Sequence, residues 1–186
     1  MTDRHVGTSP ARVGGLDRVT GRQAYLADLR FDDALHVKLV TLDVARARIA
    51  GIDTSAALAV PGVQLVLTAA DLPQPVPRFG PQFLDRPVLA VDETHYHGEP
   101  VAAVAAETLD AAEEGARLVR VEAQPLPAVV TIADALRPDA PLVQDPAIRP
   151  GDPLATTNVL REHRYGWGDL AAAESAADIV IEGTYT

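Results

Sequence analysis

Prolines constrain this chain more than any other residue type. Ten of its fifteen fall in two runs, at positions 73, 75, 77, 81 and 87 and at positions 138, 141, 146, 150 and 153. Proline fixes φ and has no amide hydrogen, so neither run can form a continuous helix or a central strand. Regular structure is thereby confined to the stretch before residue 71, the stretch between 88 and 136, and the tail after 153. The first run reads as a long surface loop over residues 71–87, and long ordered loops are often functional. The second reads as a linker, or as an extended segment strapped along a surface.

Hydrophobic periodicity fills the gaps. "LHVKLVTLD" (35–43) alternates apolar and polar residues as a half-buried strand does. "ARARIAGID" (45–53) also alternates, which puts Arg46 and Arg48 outward and Ala45, Ala47 and Ile49 inward. Asp53 is placed to cap a short helix that stops at Pro61-Gly62, and "VQLVLT" (63–68) is a strand. "EPVAAVAAE" (99–107) is small and apolar throughout, the pattern of a strand covered on both faces. Thr108 then caps a helix over 109–120 with an apolar stripe of Leu109, Ala112, Ala116 and Val119. Gly115 inside that helix should cost about 1 kcal/mol relative to alanine, and a close approach to a sheet would explain it. A strand broken at Pro125 and Pro127 and a short helix over 131–136 follow. Residues 158–169 and 177–186 read as two strands flanking the helical piece "LAAAESAA". The last of these ends without a turn, so the chain reads as truncated. The expected class is α+β: a mixed sheet with one main helix on it and a C-terminal strand extension. The domain reading is a flexible arm over 1–15, the main domain over 16–136, a proline-rich linker over 137–157 and the start of a following domain over 158–186.

Charge and composition exclude several functions. The net charge of −10 repels phosphate backbones and anionic membranes, so neither is an expected partner. The chain has no cysteine. It therefore carries no disulfide, thiolate zinc site, cysteine nucleophile or iron–sulfur ligand of its own, and a cytoplasmic location fits. No apolar run reaches the ~18 residues that span a bilayer, and residues 1–15 lack the apolar core of a secretory signal. Lys38 is the only lysine, and nothing around it suggests a Schiff base or a phosphate contact.

The one stretch with the look of a metal site is "ETHYHGEP", where His95, His97 and Glu99 are spaced two apart and would share one strand face. A zinc site needs at least three converging ligands. Gly98 and Pro100 instead read as a bend, and no further ligand can be argued from spacing. The expectation is a polar strand end leading into a buried strand, with no zinc at these histidines. No nucleophile elbow, phosphate-binding P-loop or dinucleotide fingerprint occurs. "GGLDRVTG" (14–21) has glycines but no strand before it. Glu113-Glu114 reads as a solvated helix face, Asp32-Asp33 lies in a turn, and Trp167 between two glycines is a candidate docking anchor. The residues themselves point to no catalytic, cofactor-binding or metal-binding position.

Three blocks carry a resemblance: "RVGGLDRVTGRQAYLADL" (12–29), "ARARIAGIDTSAALAVPGVQLVLTAADLP" (45–73) and "YHGEPVAAVAAETLDAAEEGARLVRVEAQPLPAVVTIADAL" (96–136). In this order they resemble the a/b hammerhead domain that opens the large, molybdopterin-binding subunit of the xanthine dehydrogenase/aldehyde oxidase family. "AAESAADIVIEGTYT" resembles the strand leading on into the catalytic body. The chain departs from the family pattern at "TLDVARARI" (41–49), where histidines are usual, and at "EAQPLP" (122–127), where "YE" often precedes "PLP".

The resemblance implies a parent enzyme that uses molybdenum on a pterin to hydroxylate an electrophilic carbon and passes electrons through iron–sulfur clusters to FAD. It also implies that the cofactor-contacting block and the base glutamate lie downstream. No catalytic residue is therefore carried onto this chain, and Glu99 is not that base. The implied role is a non-catalytic front of the enzyme. Its partners would be the remainder of the large subunit and separate iron–sulfur and flavin subunits, and the fragment would tend to self-associate. The implied substrates are a purine-like N-heterocycle first and an aldehyde second, with carbon monoxide behind both. The alternative is a free-standing binding or assembly module with the same fold.

Overall fold

The structure is a computed structural model, and it describes residues 7–183. In chain order its elements are α1 (Gly15–Val19), β1 (His36–Thr41), β2 (Ala47–Asp53), α2 (Ser55–Leu58), β3 (Val63–Thr68), β4 (Arg78–Phe79), β5 (Arg86–Pro87), β6 (Glu93–Thr94), β7 (Pro100–Ala106), α3 (Leu109–Leu118), β8 (Arg120–Pro125), α4 (Ile132–Ala135) and α5 (Leu170–Ala176). The strands form two three-stranded sheets, ordered β1-β7-β3 and β6-β2-β8, and a two-stranded hairpin, β4-β5. The chain divides into two units. The first draws on Met1–Val40, Ile52–Thr68 and Ala102–Val121, and the second on Thr41–Gly51, Ala69–Val101 and Glu122–Thr186.

The first unit is built on small residues. Strand β7 pairs antiparallel with β3, with Val66 opposite Val104 and Thr68 opposite Ala102. Ala102, Val104 and Ala106 are completely buried. Thr108 caps α3 by accepting the Ala111 amide at 3.2 Å, and α3 packs on α2 and β3. Its contact face runs through Ala112, Gly115 and Val119. Leu109, expected in the apolar stripe, is instead 49% exposed, because Gly115 takes the central place in the contact. A Cβ at Gly115 would stand 2.9 Å from Val104 Cγ1 and 3.1 Å from Val63 Cγ2. The glycine thus lets the helix axis come close to the sheet.

Two polar residues differ from their sequence reading in this unit. Asp53 does bind the start of α2, its Oδ1 accepting the Ser55 amide at 2.9 Å, but Thr54 occupies the cap position itself. Hydrogen bonding from Ser55, its side chain first and its amide second, holds the Asp53 carboxyl below the usual carboxylate range. Glu113 is not merely solvated: Lys38 Nζ donates to it at 2.9 Å, and this hydrogen bond and charge hold its pKa low.

In the second unit, the first proline run folds back as the β4-β5 hairpin, pairing Arg78 with Pro87 and Phe79 with Arg86. Gly80 has no alternative at its turn, since a Cβ there would lie 1.9 Å from the Phe83 carbonyl oxygen. The second run is ordered by one buried cation. Arg149 is 2% exposed. Its Nη2 donates to the Leu154, Ala155 and Thr157 carbonyls, and its Nη1 to the Val159 carbonyl. Asp152 lies 3.7 Å from Nη1. These carbonyls lie just past Pro153, where no strand supplies a ladder, and a guanidinium with its five donors can serve several of them at once. Beyond this stretch the strand expectation fails. Residues 158–169 and 178–183 contain no strand, because no neighbouring strand supplies a hydrogen-bonded ladder. Residues 184–186 of the expected final strand lie outside the described residues. Only α5 forms there, capped by Asp169 accepting the Ala172 amide at 3.0 Å.

Three outcomes follow from this packing. Gly115→Ala gains helix propensity of about 1 kcal/mol but forces Val104 and Val63 apart at a cost of about 1–3 kcal/mol; urea unfolding should show a net loss of stability. Arg149→Met leaves carbonyls without donors and should lower stability by about 2–4 kcal/mol, with Arg149→Lys recovering part of it. A carboxylate with a depressed folded pKa contributes stability above its unfolded pKa and loses it as pH falls through the folded value. Lys38→Ala should therefore raise the Glu113 titration midpoint, followed by carboxyl NMR, and remove that contribution above the usual carboxylate range.

Candidate functional site

The second unit holds a cleft of about 590 Å³. One side is built by β2 and β6, which pair antiparallel with Ala47 opposite Thr94 and Arg48 opposite Glu93. Thr94 is 1% exposed, and its hydroxyl oxygen accepts the Ala47 amide at 3.0 Å. This anchors Glu93 at the cleft edge. Arg46 is half-buried rather than outward. Its Nε and Nη2 both donate to Glu93 Oε1, at 2.8 and 2.6 Å.

The tight turn after β6 forms because Gly98 adopts φ +85°, a left-handed conformation that costs glycine nothing. The Glu99 amide donates to the Tyr96 carbonyl at 3.2 Å. The Glu99 side chain folds back so that Oε2 accepts the His95 amide. Glu99 is thereby a buried carboxylate that closes its own turn.

This geometry separates the histidines. His95 Nδ1 stands 3.4 Å from Glu99 Oε2, and its Nε2 stands 3.8 Å from Glu93 Oε1. His97 instead turns to Asp43, at 3.1 Å, on an exposed surface. Equal sequence spacing did not put the three side chains on one face, because β6 ends at Thr94 and residues 95–99 form a turn rather than a strand. Among the described residues, no group of three or more histidine, aspartate or glutamate side chains is arranged to hold a metal ion.

The opposite side comes from the hairpin and the second proline run. Asp85 accepts from Gln144 Nε2 and faces Arg86 Nε at 3.8 Å. The Arg86 guanidinium lies over the Phe79 ring, 5.1 Å from its centre. Asn158 ties this side together: its Oδ1 accepts the Val143 amide at 2.9 Å, and its Nδ2 donates to the Pro141 and Ala135 carbonyls at 3.0 and 3.3 Å.

The carboxylates bordering the cleft are Asp85, Asp92, Glu93, Glu99 and Asp145, against the arginines Arg78 and Arg86. The lining is therefore net acidic. Burial raises the Tyr96 phenol above its ordinary pKa, and the nearby Glu99 charge adds to the rise. Tyr96 thus stays protonated at neutral pH and is no base. The lining contains no serine, cysteine or lysine. What the cleft offers is ion pairing and hydrogen bonding.

Sequence reasoning missed the Arg46–Glu93 pair, the burial of Glu99 and the Arg149 network. The Gly-Glu-Pro bend was the available signal for Glu99. The other candidates stay apart from the cleft. Trp167 is 93% exposed, and Gly14 sits at φ +69° as the N-cap of the five-residue α1.

Comparison with known proteins gives these features a context. The family model described as "Aldehyde oxidase and xanthine dehydrogenase, a/b hammerhead domain" matches residues 20–127. The large molybdopterin subunit of nicotinate dehydrogenase from Eubacterium barkeri is 33% identical over 97% of this chain and 40% of its own length. The large subunit of nicotine 6-hydroxylase from Paenarthrobacter nicotinovorans is 35% identical over 100% of this chain and 22% of its own length. This chain thus spans well under half of either relative. Among solved structures, quinoline 2-oxidoreductase from Pseudomonas putida 86 superposes with a TM-score of 0.63 at 38% identity, over 70% of this chain and 17% of that one. The CO dehydrogenase of Oligotropha carboxidovorans does so with a TM-score of 0.65 at 37% identity, over 73% and 17%. The α+β fold is the hammerhead fold of these enzymes, and the chain belongs to the aldehyde oxidase and xanthine dehydrogenase family through its a/b hammerhead domain.

Proposed function

We propose that this chain is the N-terminal structural portion of a molybdenum-dependent hydroxylase or dehydrogenase and holds no catalytic, cofactor-binding or metal-binding residue of its own. In this reading residues 16–136 are the hammerhead domain and residues 1–15 an arm. Residues 137–157 lead to residues 158–186, which begin the molybdopterin-binding domain. Its partners are the rest of that large subunit and separate iron–sulfur and flavin subunits, in the cytoplasm. The reaction served is oxidation of a purine-like N-heterocycle or, second, of an aldehyde.

The observation that carries the proposal is the match in extent. Relatives align with nearly all of this chain, yet it accounts for 40% and 22% of their lengths. The donor set agrees. Molybdopterin bears a phosphate and would meet Asp92, Glu93, Glu99 and Asp145 in the cleft, where like charges repel it. The residues present do not fit the group. Large apolar side chains also remain exposed in each unit, Phe31, Val37 and Leu39 in the first and Ile179 and Ile181 in the second, as suits a piece that packs against more protein.

The purified chain should contain no molybdenum by elemental analysis and should not reduce an artificial electron acceptor with hypoxanthine or an aldehyde. Stoichiometric molybdenum with dye reduction would overturn the proposal.

A further inference from the structure

The cleft of the second unit contains one carboxylate that the fold leaves half used. Glu99 is 2% exposed, and its Oε2 is occupied by the His95 amide. Its Oε1 receives no hydrogen bond from any described residue, yet it is not sealed off. Among the described residues the one fully enclosed side-chain atom without a partner is Arg149 Nε, and Glu99 borders the cleft. The free oxygen therefore opens onto the cleft. A carboxylate this deeply buried loses hydration and needs a compensating charge or donor.

The His95 imidazole, 3.4 Å away, faces Oε2 rather than Oε1, Arg78 donates to the Asp85 carbonyl, and the other neighbouring guanidiniums are engaged elsewhere. Arg46 is committed to Glu93, and Arg86 lies over Phe79 with Asp85 beside it. Asp92 at the edge has no side-chain partner among the described residues, so neither it nor Glu99 has a guanidinium or ammonium partner. The remaining lining defines the shape of the missing cation. Val91, Val143, Ile148 and Leu160 form an apolar wall, suited to an aliphatic stem. The Tyr96 ring, 42% exposed, offers a face on which a planar cation can lie. A bare metal ion does not suit the site, since no three ligating side chains converge among the described residues. A phosphate would be repelled, and a purely apolar group would leave Glu99 dry and unpaired. A volume of about 590 Å³ exceeds one side chain and accommodates its flanking residues.

We propose that this cleft is a socket for an arginine side chain carried on another polypeptide segment, with Glu99 as the ion-pairing anchor. A guanidinium fits better than an ammonium because its donors lie in a plane and reach two carboxylates at once. The inference rests on the scaffold reading above, which supplies the segment from the remainder of the large subunit.

The test is an amide NMR titration of the 186-residue chain with N-acetyl-arginine-N-methylamide, run beside the lysine and leucine analogues. Saturable shifts are expected at Glu93, His95, Tyr96 and Glu99, absent with the leucine analogue and weaker with lysine. Glu99→Gln keeps an oxygen for the His95 amide and so keeps the turn. It should weaken arginine binding about tenfold or more. Should the variant misfold, the wild-type Glu99 carboxyl ¹³C signal gives the second readout, since the arginine analogue should shift it saturably and the leucine analogue should not. No saturable shift, an equal response to the lysine or leucine analogue, full binding by folded Glu99→Gln, or an unmoved Glu99 carboxyl signal would each overturn the socket. A chain that ignores arginine and holds no molybdenum loses the socket alone. A chain that holds molybdenum and turns over substrate loses the scaffold reading, whatever arginine does.

Discussion

The close approach of α3 to its sheet is the constraint on which the first unit depends. A 10-residue helix has only about three turns with which to bury anything. Here it does so with Ala112, Gly115 and Val119 against strands whose inner faces are alanine and valine. Small side chains contribute little transfer free energy each. They compensate by letting backbone and side-chain atoms meet at full packing density, where dispersion is gained over many short contacts. The same small volumes recur along β7, where Ala102, Val104 and Ala106 are fully enclosed. Such a core tolerates no added methylene at its centre, which is why a residue unfavourable to helices stands in the middle of this one.

The second unit adds buried charge to an apolar core that includes Ala47, Val76, Leu89, Ala90 and Val101. Arg46 with Glu93, Glu99 with the His95 amide, and Arg149 with four carbonyls are each buried or half-buried polar contacts. Buried charges are costly, and their partners must be placed with good geometry. The result is a set of fixed corners around a cleft, beside that apolar core.

Membership of the aldehyde oxidase and xanthine dehydrogenase family fits this division of labour. The relatives and solved structures include enzymes named for nicotinate, nicotine, quinoline and carbon monoxide. Shared scaffolding among proteins with such different named substrates is the expected case when a fold supplies support and its partner segments supply chemistry. The absence of cysteine is compatible with the same reading, since iron–sulfur clusters require thiolates from elsewhere.

Local chemistry was legible in the residue order. The small apolar run into β7, the Thr108 cap, the glycine in α3 and the proline-rich stretches all announced themselves, because each depends on neighbours within a few positions. The family was legible too, through blocks in a fixed order. Long-range pairings were not. Arg46 and Glu93 lie 47 positions apart, and Lys38 and Glu113 lie 75; no periodicity links them. The same limit applies to residues 158–169 and 178–183, whose strand-like alternation went unpaired. A strand is a property of two chain segments, and only the fold decides whether a neighbour is there. The histidines show both halves of this division. Their spacing suggested one face, and Gly98 warned of a bend. Tertiary structure then sent His95 to Glu99 and His97 to Asp43, because a left-handed turn redirects side chains that a straight strand would have aligned.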